Sequence, residues 1–180
     1  MQEMPTETPP FFILTGPPGA GKTTLLEALE PHFSTVPEAA RRVLAEERRT
    51  GGTATGEQDP AAFVARMLEI MIADYDAARG LTVFDRGLPD LLAFCAHYAL
   101  DAKAVQDAIR TRRYQTRVFC LPARQEIYQQ DEERTLSFEG AQAFGALTRE
   151  GYLATGYEWV EVPKADIATR ASFIRDQIGG

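Results

Sequence analysis

Residues 11–23 read FFILT followed by GPPGAGKT, an apolar run of strand formers that passes directly into a glycine-rich loop. Nothing else in the chain restricts the fold as strongly. An apolar pentapeptide without alternation suits a strand buried on both faces, as in a parallel sheet. The segment from Gly16 to Thr23 satisfies G-x-x-x-x-G-K-[ST] in full, after a strand and at the start of a helical stretch. Gly16, Gly19 and Gly21 permit backbone angles closed to other residues and let amide groups approach phosphate oxygens. Lys22 offers a compact charge to β- and γ-phosphates, Thr23 offers a hydroxyl to Mg²⁺, and the helix beginning here adds its positive end. Gly16, Pro18, Gly19, Ala20, Gly21, Lys22, Thr23 and Thr24 are the expected nucleotide cradle.

The rest of the chain alternates strands and helices. TVP (35–37), LTVFD (81–85), TRVFCL (116–121) and YEWVEV (157–162) read as further strands. Helices are expected over 22–30, 38–50, 59–79, 165–178 and, with a break near Leu100-Asp101, over 90–112. Asp59-Pro60 supplies a cap followed by a proline at the first helical position. Residues 123–155 read as helix, turn and helix, and RTGGTATGEQD (49–59) as a mobile loop. Alternation of this kind implies one α/β domain, residues 11–180, with a parallel sheet covered by helices on both faces. Residues 1–10 are polar and proline-rich, unlike a signal peptide, and read as a disordered lead-in.

Composition removes several classes of function. With 180 residues, 44% of them hydrophobic, the chain can bury a sizeable core. A net charge of −7 opposes non-specific nucleic-acid binding, which depends on phosphate neutralisation. No run approaches the roughly 18 apolar residues of a membrane span, so a cytoplasmic protein without nucleic-acid or membrane partners is expected. Cys95, Cys120, His32 and His97 stand apart in sequence and show no metal-ligand spacing.

The stretch VFDRG (83–87) carries the next signal. Asp85 ends an apolar strand, where a carboxylate can hold the Mg²⁺ shell or cap the next helix. Motor and remodelling ATPases place a water-polarising Glu after that Asp, and here the neighbour is Arg86. Two readings are open for it: a forked ligand for a second anion or a phosphoryl group in flight, or a salt bridge with an acidic helix. VPEAARRV (36–43) adds Glu38, which could orient a hydroxyl nucleophile, with Arg42 or Arg41 beside it. Glu38 and Arg42, four residues apart, could equally form a surface pair.

Asp-Arg at this place resembles the DR motif of thymidylate kinases and the Glu-Arg-Ser motif of deoxynucleoside kinases, and is similar to nicotinamide riboside kinase-like proteins. VPEAARR resembles the deoxynucleoside-kinase segment in which a glutamate accepts the substrate hydroxyl proton and an arginine holds the reacting groups. By that resemblance Glu38 is the base, and Glu38, Arg42 and Arg86 bind substrate. QQDEERTLSFEGA (129–141) falls where such kinases carry an arginine-bearing lid, which makes Arg134, then Arg124, the lid candidate or a solvated helix residue. The family resemblance implies strand order 2-3-1-4-5. The whole chain is also similar to small P-loop proteins catalogued as AAA-type ATPases, without the Asp-Glu motif or helical second domain of AAA+ machines.

A small-molecule kinase is therefore the expected function, transferring the γ-phosphoryl group of Mg·ATP to a nucleoside- or nucleotide-like acceptor. Its catalytic residues would be Lys22, Glu38, Asp85, Arg86 and Arg134, with Thr23 and Asp85 on the metal. An ATPase or nucleotide-dependent switch acting on a protein partner is the alternative, and binding without chemistry a third. Asn-Lys-x-Asp is absent, which favours ATP and leaves GTP open. Many kinases of the resembling group are homodimers, and the sequence leaves that state open here.

Overall fold

The computed structural model describes residues 7–123 and 137–179. Arg124 and Arg134, and with them the expected lid, lie outside these residues, as do residues 1–6. Within them the strands are β1 (Phe11–Thr15), β2 (Ser34–Val36), β3 (Thr82–Asp85), β4 (Arg117–Cys120) and β5 (Glu158–Glu161). They form one sheet in the order β2-β3-β1-β4-β5, with every pair parallel. The order implied by the resemblance is the order found. The helices are α1 (Lys22–Leu29), α2 (Ala39–Thr50), α3 (Pro60–Ala77), α4 (Asp90–His97), α5 (Lys103–Thr111), α6 (Phe138–Ala154) and α7 (Ile167–Gly179).

Strand periodicity explains why the central strands are apolar throughout. Phe11 and Ile13 of β1 face one side, together with Phe84 and Val118, and are covered by residues of α2 to α6. Leu14, Val83 and Phe119 face the other side, against Leu25, Leu26 and Leu29 of α1 and Ala171 and Ile174 of α7. Both faces are dry, so alternation in hydropathy has no reason to appear.

Local chemistry sets the element ends. Asp59 caps α3 by accepting from the Ala62 N–H at 2.9 Å, and Pro60 occupies the first turn. The expected break in 90–112 occurs at Ala99, whose φ of 53° is left-handed without glycine. Its neighbour Leu100 N–H reaches back to the Cys95 carbonyl at 2.8 Å, closing α4. The 49–59 segment is tied down from α2: the buried Glu47 carboxylate accepts from Ala54 N–H at 2.9 Å and from Arg66 at 2.8 Å. Ahead of β1, Gln115 donates its side-chain amide to the carbonyls of Thr8 and Pro9, at 3.1 and 2.9 Å.

The sheet register levels the strand ends that matter. Leu14 pairs with Asp85 and Thr15 with Cys120, so β1, β3 and β4 all end on one edge. Open α/β sheets bind ligands outside such carboxyl ends. Gly87 lies just beyond that edge with no room for a side chain: a Cβ there would sit 2.3 Å from Ile13 Cδ1 and 3.1 Å from the Tyr152 hydroxyl oxygen. Ile13 is fully enclosed and cannot retreat. Gly87→Ala should therefore cost about 1–3 kcal/mol of stability, read as a lower urea midpoint at unchanged slope. An unchanged midpoint would contradict this packing.

Candidate active site at the carboxyl edge of the sheet

The glycine-rich loop leaves β1 through Gly16, whose φ of 151° and approach to Leu121 exclude a Cβ, which would lie 2.5 Å from that residue's carbonyl oxygen. Gly21, at φ 88°, turns the chain into α1, and no side chain caps that helix. Its first-turn amides and positive end are thus left to the loop. Lys22 is buried, with Nζ donating to the carbonyls of Gly16 at 3.2 Å and Pro17 at 3.4 Å. Burial, then the Arg86 charge, pull its pKa below the ordinary lysine value. Thr23 and Thr24 are exposed on the wall of a cleft of about 900 Å³, lined also by Pro18, Gly19 and Gly21.

Of the VFDRG stretch, Arg86 lines the floor of this cleft and Asp85 is buried. Asp85 closes β3, and Arg86 follows in a left-handed conformation, φ 72°, with its N–H on the Leu14 carbonyl at 2.9 Å. Arg86 is 6% exposed, with Nε donating to Glu38 Oε1 at 3.1 Å and Nη1 to Asp90 Oδ1 at 3.2 Å. The salt bridge offered by one reading of the sequence is therefore present, to the first residue of α4 as well as to Glu38. The same guanidinium lines the cleft.

Glu38 is the residue before α2, with φ −58° and ψ 126°, and its side chain makes no capping bond. Its carboxylate instead meets Arg86, and Arg41 at 3.4 Å. Arg42 is not in the site: its Nη1 pairs with Asp74 of α3 at 2.5 Å, behind α2. Arg41 takes its place on the cleft wall. The reason is helical phase: Arg41 and Arg42 are successive residues of α2 and point about 100° apart.

Several lining residues carried no readable signal in the sequence. Phe63 of α3, Phe94 and His97 of α4, Tyr98 and Phe144 of α6 close the cleft opposite the phosphate loop. Phe94 and Phe144 meet edge to face at 4.8 Å, and Phe63 packs on Phe94 at 6.1 Å. Helix α6 thus joins α2, α3 and α4 in lining the cleft. Asp90 and Tyr152, also unforeseen, share a hydrogen bond beneath the floor.

The carboxylates titrate apart. Burial pushes Glu38 up, but the Arg86 charge, then Lys22, outweigh it and hold the group at about 2, below its ordinary 4.5. Its stabilising contribution is complete above about 4.5 and is lost as pH falls towards 2. Asp85 goes the other way: burial raises it from 3.8 to about 6, against the pull of Lys22. Its favourable contribution is complete below 3.8 and lost as pH rises through about 6.

Asp85 Oδ1 is buried without a hydrogen-bond partner. A buried carboxylate oxygen so placed, with the exposed Thr23 hydroxyl on the nearby loop, fits a hard divalent cation that shares its shell with phosphate and water. Among the described residues no three His, Cys, Asp or Glu side chains cluster as a metal cage. Asp85→Asn should raise stability at pH 8 by roughly 1–3 kcal/mol, the gain shrinking towards pH 4. Chemical denaturation at both pH values checks this, and a loss of stability at pH 8 would contradict it.

Solved structures share this architecture at low identity. Shikimate kinase from Acinetobacter baumannii in complex with shikimate matches at TM-score 0.62 and 18% identity, over 96% of this chain and 94% of that one. Deoxyadenosine kinase from M. mycoides with bound products matches at 0.65 and 15%, over 94% and 98%. Thymidylate kinase from Ehrlichia chaffeensis matches at 0.58 and 14%, over 96% and 100%. The fold is thus that of the P-loop kinases. No curated protein sequence matches the chain. A family model described as an AAA domain matches residues 11–170, and the chain belongs to that family of P-loop proteins.

Proposed function

We propose that the protein transfers the γ-phosphoryl group of Mg·ATP to a hydroxyl or phosphate oxygen of a small nucleoside- or nucleotide-like metabolite. The observation that carries this reading is the Glu38–Arg86 pair, 3.1 Å apart on the floor of a cleft shared with the phosphate loop. A carboxylate and a guanidinium placed together can hold an acceptor hydroxyl and the transferring group at once. Hydrolysis would be served by an acid in place of Arg86.

The residues divide the work. Gly16, Pro18, Gly19, Ala20, Gly21, Thr23 and Thr24 hold the triphosphate, and Lys22 places its charge between the β- and γ-phosphates. Arg86 stabilises charge on the transferring group. Glu38, ionised throughout the physiological range, accepts a hydrogen bond from the acceptor hydroxyl. Its low pKa makes it an orienting group more than a strong base, which suffices for a loose transition state in which the proton leaves late. Mg²⁺, held through Thr23 and Asp85, would neutralise charge on the phosphate oxygens. The aromatic wall of Phe63, Phe94, Tyr98 and Phe144 suits a planar ring on the acceptor. The kinases of similar fold, two of them acting on nucleosides or nucleotides by name, support the same class.

Glu38→Gln should leave ATP affinity within about threefold of wild type and lower transfer about 10²- to 10⁴-fold. Normal turnover would remove Glu38 from the mechanism. A thermal-shift panel of metabolites beside a non-hydrolysable ATP analogue identifies the acceptor, because a true one raises Tm by mass action. Finding only protein partners that respond to nucleotide would favour the switch reading.

A further inference from the structure

Asp90 has no part in the reaction just described, yet it is the most enclosed charged residue of the site, with 0% exposure. Isolated carboxylates are costly inside proteins, so its surroundings must compensate. Four donors do so. Oδ1 accepts from the Thr15 hydroxyl at 2.5 Å and from Arg86 Nη1 at 3.2 Å. Oδ2 accepts from the Gly87 N–H at 2.9 Å and from the Tyr152 hydroxyl. One carboxylate thereby ties the end of β1, the turn after β3 and the far end of α6 to the first turn of α4.

The turn needs such a tie. Arg86 is one of two non-glycine residues with positive φ among those described, and such a conformation costs about 1–3 kcal/mol when nothing holds it. Leu14 fixes the turn through the Arg86 N–H, and Asp90 fixes it through the Gly87 N–H and the guanidinium itself. The two ion pairs use Nε and Nη1 of a side chain whose residue also lines the cleft.

We propose that Asp90 is a positioning residue: clamped by Thr15, Gly87 and Tyr152, it holds the Arg86 guanidinium in the orientation that presents it to the transferring phosphoryl group. The proposal rests on the phosphoryl-transfer reading for its consequence, but its geometry is testable without an acceptor. Arg86 needs no help to be charged; it needs help to stay in place.

The experiment follows the Arg86 Nε–H signal by ¹⁵N NMR in the full chain, assigned by its loss in Arg86→Lys. In Asp90→Asn, folded with a cooperative transition, this proton should exchange with solvent at least about tenfold faster. Affinity for a fluorescent ATP analogue should stay within about threefold, while Mg·ATP turnover falls about 10²-fold. An unchanged exchange rate in folded Asp90→Asn overturns the proposal, whatever the turnover. Should Asp90→Asn fail to fold, Tyr152→Phe decides: exchange about threefold faster or more supports the clamp, and unchanged exchange overturns it. If wild type transfers phosphate to no acceptor, the transfer reading fails while the exchange result still judges Asp90.

Discussion

The buried ion pairs of Arg86 with Glu38 and Asp90 hold the rest of the site in register. Around the cleft lie three carboxylates, Glu38, Asp85 and Asp90, and three cations, Lys22, Arg41 and Arg86. Arg86 pairs with Glu38 and Asp90, and Asp85 Oδ1 has no hydrogen-bond partner among the described residues. The neighbouring acids then behave oppositely: the Arg86 charge outweighs burial at Glu38 and holds it at about 2, while burial raises Asp85 to about 6. The Asp85 oxygen left without a hydrogen bond is where a divalent cation would fit.

The fold supplies this arrangement from distant parts of the chain. Glu38 comes from the end of β2, Asp85 and Arg86 from β3, Asp90 from α4, and Thr15 from β1. Only a sheet with β3 beside β1, and all strands ending on one edge, brings them within bonding distance. The left-handed turn at Arg86 is the local cost of pointing a long side chain back across that edge. Its neighbour Gly87 is squeezed between Ile13 and Tyr152, so the turn is packed as well as bonded.

What the sequence disclosed follows from the range of each interaction. The phosphate loop was legible because its chemistry is local, written in eight consecutive residues. The central strands β1, β3 and β4 were legible because burial on both faces leaves apolar runs. Glu38 and Arg86 were each visible, but their contact spans 48 residues and belongs to the sheet order. Asp90 looked like the first residue of a helix, since its partners Thr15 and Tyr152 are 75 and 62 residues away. Arg42, assigned to substrate by the resemblance, pairs instead with Asp74, 32 residues away on α3. The aromatic wall was not legible because Phe63, Phe94, Tyr98 and Phe144 come from separate elements that meet only in the fold.

The proposed role of these paired charges is transfer to an acceptor and not hydrolysis. Product analysis of Mg·ATP turnover, with and without ring-bearing hydroxyl or phosphate metabolites, separates the two. Little inorganic phosphate should be released by the protein alone, and a phosphorylated metabolite with stoichiometric ADP should appear when the acceptor is added. Steady phosphate release at a rate no metabolite alters would contradict it.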